Sequence, residues 1–521
     1  PGSDPRLPEE ALPGLGVAEG KIKDYRVTDA SKIEAIAKKL GISAQGKAGP
    51  QLAGEVARAA MEDYSRYDEH PLSFLKSTVT KGRMQTWDFN AVVPSNIETA
   101  ITNVIHRTAM GVDADPVPIL FGGVECALAR DLILARVPLA EWPAELFVVE
   151  DQVRRADVML TDPIRPGEAI RAAFARGDAD GTGPQATLEE IKAARLLGRG
   201  GAGFTTGIKW ESCSRQPVTP RVVVCNADEG EPGTFKDRLL LGRYADLVFE
   251  GMTVAAWAIG ASRGFVYLRG EYRYLLDALR DTLERRRRDG LLGQGICGRA
   301  GFDFDVQIHV GAGSYVCGEA SALVESLEGK RGIPRNRPPR LAEKGYLGWP
   351  TIVNNVESYC TAALIVLHGA DWFRSRGTPR SSGTKLLSVS GDCARPGVYE
   401  YPLGVTVREV LEDSGAIGTI AVQAGGPSGV CLGQDEFERR IAFEDIETGG
   451  AFIVFDGSRD MFEVARHFAH FFAHESCGFC TPCRVGTSLL RNLMDKISRG
   501  KGSQHDLNTI EELAQLLHNA S

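Results

Sequence analysis

The stretch GRGGAGFTTGIKW, Gly198 to Trp210, restricts this 521-residue chain more than any other. It holds a G-x-G-x-x-G at Gly198, Gly200 and Gly203, the spacing with which a dinucleotide-binding turn joins a strand to a helix. The residues before it, LEEIKAARLL, are instead helix formers with apolar side chains at helical spacing. A helix over 187–197 therefore precedes the glycines, and the context of a βαβ unit is inverted. Lacking Cβ atoms, such a loop can close its backbone N–H groups around an anion, and Lys209 adds a positive charge nearby. A tight turn with no ligand accounts for the glycines equally well.

Around the loop, helix and strand alternate. RVVVCN (221–226) is a β-branched run that reads as a buried strand, YADLVFEGMTVAAWAIG as a helix, and GFVYLRGE as a further strand. Residues 187–360 are thus α/β in character. From 384 to 455 short strands alternate with Gly and Pro turns (TKLLSVSGD, GVYEYPLG, IAVQAGGPSG, GAFIVF), which predicts a small α+β module. Residues 459–519 are helical around a cysteine cluster, and 21–135 carries amphipathic stretches such as KIEAIAKKL and IETAITNVIHRTAM. DADGTGPQ (178–185) is a turn-rich break. The expected fold class is α/β multidomain. Its parts are a flexible tail over 1–20, a helical region over 21–135, a linker or transition over 136–186, an α/β domain over 187–383, the small module over 384–455 and a helical domain over 456–521.

Composition removes other classes. Net charge is −8 with no long basic block, so nucleic acid is not an expected partner. The one basic run, Arg285 to Arg288, reads as a solvated helix face. No stretch reaches the ~18 consecutive apolar residues of a membrane span, and PGSDPRLPEE has no signal-peptide core. No direct membrane insertion and a cytoplasmic location follow as expectations. The 11 cysteines form one tight cluster and no regular framework, which favours reduced thiols and metal binding over disulfides.

Four further segments carry chemistry. CNADEGEPGTFKDR (225–238) puts Asp228, Glu229 and Glu231 directly after a predicted strand, where loop carboxylates bind something or face water. GAGSYVCGEASALVESLEGKRGIP (311–334) sets Tyr315 and Glu319 among glycines. PTIVNN (350–355) ends in Asn354 and Asn355, whose amides suit the donors and acceptors of a flavin. ESCGFCTPCRVG holds Cys477, Cys480 and Cys483 as C-x-x-C-x-x-C. Three thiolates so spaced fit three corners of a cubane cluster, with zinc as the main competitor. The other eight cysteines read as small buried hydrophobes.

Together these segments resemble the flavin- and NADH-binding subunit of respiratory complex I and the diaphorase subunits of NAD-reducing hydrogenases and NAD-linked formate dehydrogenases. The resemblance covers about 187–521. It implies a non-classical Rossmann-like FMN/NADH domain over 187–383, a β-grasp-like module over 384–455 that acts as a spacer, and a helical iron–sulfur domain over 456–521. Residue by residue, it implies FMN contacts from Gly198, Gly200, Lys209, Asn226, Asp228, Tyr315, Gly318, Glu319, Asn354 and Asn355. NADH contacts are implied for Gly201, Phe204 and Glu231, with Lys209 and Tyr315 near both ligands. Cys477, Cys480 and Cys483 become ligands of a [4Fe–4S] cluster whose fourth ligand in the family lies beyond the position of Ser521. The implied activity is hydride transfer between NAD(H) and FMN without a protein general base, then one-electron transfer through the cluster. The implied partners are a thioredoxin-like [2Fe–2S] subunit and a downstream iron–sulfur, hydrogenase or formate dehydrogenase subunit. The opposing reading is a docking or scaffold protein that keeps the fold with impaired cofactor binding.

Three positions depart from the family. Ala320 stands where a second acidic residue meets the adenosine ribose, and Ser212 and Arg340 stand where two phenylalanines stack the adenine. These departures point to a nucleotide preference broader than NADH, the alternative being that neighbouring side chains compensate and the site stays NADH-specific. A second resemblance, on YRVTDASKIEAIAKKLGI and VIHRTAMGVDADPVPILFGGVECALA, links about 20–128 to an N-terminal helical region of nickel carbon monoxide dehydrogenases. The metal-binding segments of those enzymes are absent, so no carbon monoxide chemistry is carried over, and His106 reads as a satisfied helix histidine. No cysteine precedes Cys126, so the chain's own N-terminal region cannot supply a [2Fe–2S] cluster.

Overall fold

The computed structural model describes residues 17–18, 21–22, 152–161, 164–177 and 182–520. The chain divides into two units, Pro1–Val149 and Glu150–Ser521. In the first, Val17–Ala18 pairs antiparallel with Lys21–Ile22. The helices expected in 21–135, with His106 and Cys126, lie outside the described residues.

The second unit contains two sheets. The smaller is built from β2 (Val222–Ala227), β3 (Arg263–Leu268), β4 (Asp305–Val310) and β5 (Thr351–Asn355), in the order β4-β3-β2-β5 with every pairing parallel. The run VVVCNA of β2 is buried at all positions but one, as a parallel strand covered on both faces requires. Helices α1 (Glu168–Ala175), α2 (Gly183–Ala193), α3 (Thr206–Ser214), α4 (Lys236–Arg243), α5 (Ala245–Ile259), α6 (Leu276–Arg288), α7 (Ala320–Leu327), α8 (Val356–His368) and α9 (Ala370–Arg374) complete this half. The apolar α5 is buried from Leu247 to Ile259 and packs closely on α8. A Cβ at Gly251 would stand 2.0 Å from the Tyr359 carbonyl oxygen, so only glycine permits that backbone approach.

The larger sheet contains β1 (Val153–Arg155), β6 (Thr384–Gly391), β7 (Gly397–Pro402), β8 (Thr419–Ala424), β9 (Val430–Gly433) and β10 (Ala451–Asp456) in the order β9-β8-β10-β6-β7-β1. Helix α10 (Val407–Ser414) covers it, with a capping box between Thr406 and Glu409. Leu387, Tyr399, Val410, Val422 and Phe452 belong to its core. Three helices, α11 (Met461–Glu475), α12 (Thr481–Ser498) and α13 (Gln504–Ala520), end the chain. No helix among the described residues is long and apolar enough to cross a membrane.

Several sequence expectations shift. The helix before the glycine loop is Gly183–Ala193, earlier than 187–197. Pro in its first turn pre-sets the helical φ, and Arg195 at φ 56 ends it. The transition 136–186 supplies β1, which pairs parallel with β7, and α1, which lies in the smaller-sheet half. Its short irregular sequence carries no period strong enough to reveal either. The basic run is a solvated face only in part, with Arg287 and Arg288 exposed. Arg286 is fully buried, bonded to Glu250 at 2.6 Å and Asp246 at 3.2 Å, while Arg285 and Arg287 pair with Asp246 and Asp305.

Candidate functional site

In the smaller sheet the chain runs from β2 outward to β3 and β4, and then returns to place β5 on the other side of β2. The strand order reverses between β2 and β5, and ligands of open parallel sheets bind outside the carboxyl ends at such a reversal. The register sets Cys225 beside Asn354 and Asn226 beside Asn355. The two asparagine motifs, far apart in sequence, therefore meet at the carboxyl ends of the reversal.

The glycine loop joins α2 to α3 at the same edge. Leu197 bridges Thr205, and Gly198 N–H donates to the Phe204 carbonyl at 3.0 Å. Gly200 packs on Asn355, where a Cβ would lie 3.1 Å from the asparagine Cβ. Gly201 has φ +130 and nothing within 4 Å of its Cβ direction, so its backbone opens towards free space. Arg199, between Gly198 and Gly200, is wholly buried. Its guanidinium donates to the Ser382 carbonyl at 2.8 Å, and its backbone N–H donates to Ser358 Oγ at 2.9 Å.

A cavity of about 990 Å³ extends from this loop to the cysteine cluster. Of the sequence-selected residues, Gly200, Asn226, Asp228, Glu231, Tyr315, Gly318, Glu319, Asn355, Cys477, Cys480 and Cys483 line it. Gly198, Gly201, Phe204, Lys209 and Asn354 are not in its lining. Phe204 is half exposed, and Lys209 Nζ donates to the Val353 carbonyl at 2.7 Å.

Each polar residue has a distinct role in the structure. Asn226 Nδ2 donates to the Gly318 carbonyl at 2.8 Å, which ties the 311–334 segment to β2. Asn355 caps α8 through its Oδ1, and its Nδ2 donates to Asp237 at 2.5 Å. Glu319 caps α7, accepting from Ser321 N and Ala322 N, and pairs with Arg337. Asn354 Oδ1 accepts from Trp210 Nε1 at 3.1 Å, whereas its Nδ2 is buried without a partner. Asp228 is 8% exposed and its Oδ2 likewise has no partner. Burial pushes the Asp228 carboxyl up to about 7, against the opposing pull of Arg269. The Glu231 carboxyl is also raised by burial. Burial, with Arg337 beside it, lowers Lys209 to about 8.

Three charged side chains of the lining were not singled out from the sequence: Lys236, Asp237 and Glu475. Lys236 is buried, 2.6 Å from Asp237 and 3.0 Å from Glu357, whose same oxygen meets Lys385 at 2.5 Å. A buried carboxylate holding two lysines joins the smaller sheet to β6 of the larger one. Charged residues in a motif named for its acids gave no signal that they would be interior. Glu475, the last residue of α11, accepts from Tyr315 N at 3.1 Å.

At the far end of the cavity, Cys480 is the N-cap position of α12, and Gly478 at φ +76 turns the chain between the first two cysteines. Among the described residues, no three Cys, His, Asp or Glu side chains are gathered closely enough to hold one metal ion. Of the other cysteines, Cys213, Cys225, Cys317 and Cys360 are buried as expected, Cys297 and Cys393 are half-buried, and Cys431 is exposed. Ala320 opens α7, Ser212 is half-buried on α3 and Arg340 is exposed.

Comparison with known proteins extends this geometry. Residues 191–363 match the family described as Nuo51 FMN-binding domain, and 463–521 match the NADH-ubiquinone oxidoreductase-F iron-sulfur binding region. Residues 15–141 match the Prismane/CO dehydrogenase family. The chain is 52% identical over 339 residues to the alpha subunit of the NAD-reducing hydrogenase HoxS of Cupriavidus necator, covering 65% of this chain but only 56% of that subunit. It is 41% identical to the HndC subunit of the NADP-reducing hydrogenase of Solidesulfovibrio fructosivorans, covering 64% of this chain and 70% of HndC. With the NADH-quinone oxidoreductase F protein of Escherichia coli it shares 40% identity over 66% of this chain and 80% of the relative. The crystal structure of an air-oxidised NAD+-reducing [NiFe]-hydrogenase superposes with a TM-score of 0.68 and 46% identity, covering 76% of this chain and 68% of that one.

Proposed function

The chain belongs to the family of NADH-quinone oxidoreductase F proteins and hydrogenase alpha subunits, and on that premise we propose that it oxidises NADH as the flavoprotein component of a larger complex. The observation that carries this reading is the cavity at the strand reversal, lined by Gly200, Asn226, Asp228 and Asn355 and reaching the three cysteines, on whose wall the buried Asp228 Oδ2 has no partner. Buried polar atoms without partners are uncommon, and a buried acceptor on the cavity wall suits a donor on the polar edge of a flavin. When bound, FMN supplies the hydride acceptor and passes electrons on singly.

The chain's residues then divide the work. Gly200 and Gly201 let backbone approach the flavin, Asn226 and Gly318 hold the facing wall, and Lys209 contributes positive charge. Phe204, Glu231 and Tyr315 serve the nucleotide. Cys477, Cys480 and Cys483 hold a [4Fe–4S] cluster, since three thiolates at that spacing suit three corners of a cubane.

The finer domain reading is a Rossmann-like flavin domain over 187–383, a β-grasp-like module over 384–455 and a helical cluster domain over 456–521. The partners we propose are a thioredoxin-like [2Fe–2S] subunit and a downstream iron–sulfur, hydrogenase or formate dehydrogenase subunit, in the cytoplasm or at a membrane periphery. The test is the visible spectrum of the purified protein. Flavin bands over an iron–sulfur shoulder, bleached anaerobically by NADH, are expected. A colourless protein, or flavin bands that NADH leaves unchanged, refutes the reading and favours the scaffold alternative.

A further inference from the structure

The sequence reading gave 384–455 a spacer's role, yet a loop of that sheet, AGGPSG between β8 and β9, reaches the cavity. Pro427, Ser428 and Gly429 line it. The loop is held firmly: Gln423 Nε2 donates to the Gly426 carbonyl at 2.6 Å, Gly425 N–H donates to the Ala451 carbonyl at 2.9 Å, and Gly429 N–H donates to the Gly426 carbonyl at 2.9 Å. Its glycines are required. Gly425 and Gly426 have φ +86 and +68, and a Cβ on Gly429 would stand 1.9 Å from the Ala424 carbonyl oxygen.

What the loop holds is Glu231. A Cβ on Gly426 would lie 2.6 Å from Glu231 Oε1 and 2.7 Å from its Cγ, so the carboxylate rests on the bare backbone of that glycine. Ser428 N–H donates to Glu231 Oε1 at 3.0 Å, and the Tyr315 hydroxyl donates to Oε2 at 2.6 Å. Both donors are neutral. A carboxylate offers about four lone-pair positions; these bonds use one on each oxygen and the Ser428 side chain also interacts with the group, so Glu231, which lines the cavity, keeps acceptor capacity there. A carboxylate with acceptor capacity facing a cavity repels phosphate and suits hydroxyl donors such as those of a vicinal diol.

We propose that the 425–429 loop is the positioning wall of the nucleotide site, in which Gly426 and Ser428 orient Glu231 to accept from a ribose vicinal diol of the nicotinamide nucleotide. The larger sheet is then part of the binding site and not a spacer. Gly426 and Ser428 act through Glu231 and do not touch the reacting atoms. This rests on the NADH-oxidising reading above.

The test measures binding of NAD+ to the oxidised full-length protein, beside an NAD+ analogue with both ribose diols removed. Expected are at least about tenfold tighter binding of NAD+ than of the analogue by the wild type, and loss of that preference in Gly426→Ala and Glu231→Gln at an unchanged flavin-to-protein ratio. Should Gly426→Ala fail to fold, Glu231→Gln and the analogue decide. Equal binding of NAD+ and analogue by a wild type whose flavin NADH still bleaches overturns this inference and leaves the functional reading standing. Full discrimination retained in Glu231→Gln also overturns it. Flavin that NADH cannot bleach overturns the functional reading, and this inference with it.

Discussion

Replacing Asp228 by asparagine should stabilise the flavin-free protein while weakening flavin binding, and the stabilisation should depend on pH. The carboxyl is 8% exposed, with one oxygen unpartnered, and burial raises it from 3.8 to about 7 in spite of Arg269. A carboxyl raised in the folded state binds its proton there after the unfolded chain has lost it, so stability falls as pH rises between the two values. The cost is absent well below pH 4, grows by about 1.4 kcal/mol per pH unit, and levels off above pH 7 at about 4 kcal/mol. Asparagine cannot ionise and removes that cost, in which the attraction to Arg269 is already counted, so a gain of about 4 kcal/mol at pH 8 is expected. Thermal unfolding of flavin-free wild type and Asp228→Asn from pH 4.5 to 8 reads it. The variant should unfold several degrees higher at pH 8, with the gap shrinking towards pH 4.5. A gap that is constant with pH, or a variant less stable at pH 8, would show that the buried charge carries no such cost. Titration with FMN in the same samples should show the variant binding about tenfold more weakly, the loss of one charged acceptor.

The other expectations concern backbone and specificity. Gly201→Val meets no neighbour but occupies φ +130, so flavin should be lost from a protein whose far-ultraviolet circular dichroism is retained; normal flavin content would remove the glycine loop from the site. Gly251→Ala, whose Cβ would stand 2.0 Å from the Tyr359 oxygen, should cost about 3 kcal/mol or more by forcing α5 and α8 apart, read as a lower midpoint in urea unfolding; an unchanged midpoint would refute that packing. With Ala320 at the start of α7 beside Glu319, wild type should use NADPH measurably, and Ala320→Glu should raise the NADH-to-NADPH ratio of kcat/KM by about tenfold, since a carboxylate repels a 2′-phosphate. A wild type that rejects NADPH as strongly as the variant does would end that idea.

Local chemistry made much of this protein readable from its sequence. The β-branched run at Val222–Ala227, the apolar helix Ala245–Ile259 and the three terminal helices follow from periodicity, which depends only on neighbours along the chain. The inverted glycine context at 198–203 and the C-x-x-C-x-x-C spacing are likewise local, and with the acidic and asparagine motifs they carried the family resemblance. What the chain could not disclose is which distant groups share a dielectric. Arg286 reads as surface in a run of four arginines, and only the folded packing of α5 against α6 surrounds it with Glu250 and Asp246. The pairing of Val153–Arg155 with β7 depends on a partner more than 240 residues away, for which a three-residue strand has no periodic signal. The same is true of the loop Gly425–Gly429. In sequence it is a turn, and it lines the cavity only because two sheets, joined through Glu357 and its two lysines, bring Gly426 against Glu231. Sequence specifies each element through bonds between near neighbours, whereas burial, and with it the chemistry of Asp228, Lys236 and Glu231, is a property of what the other elements exclude from water.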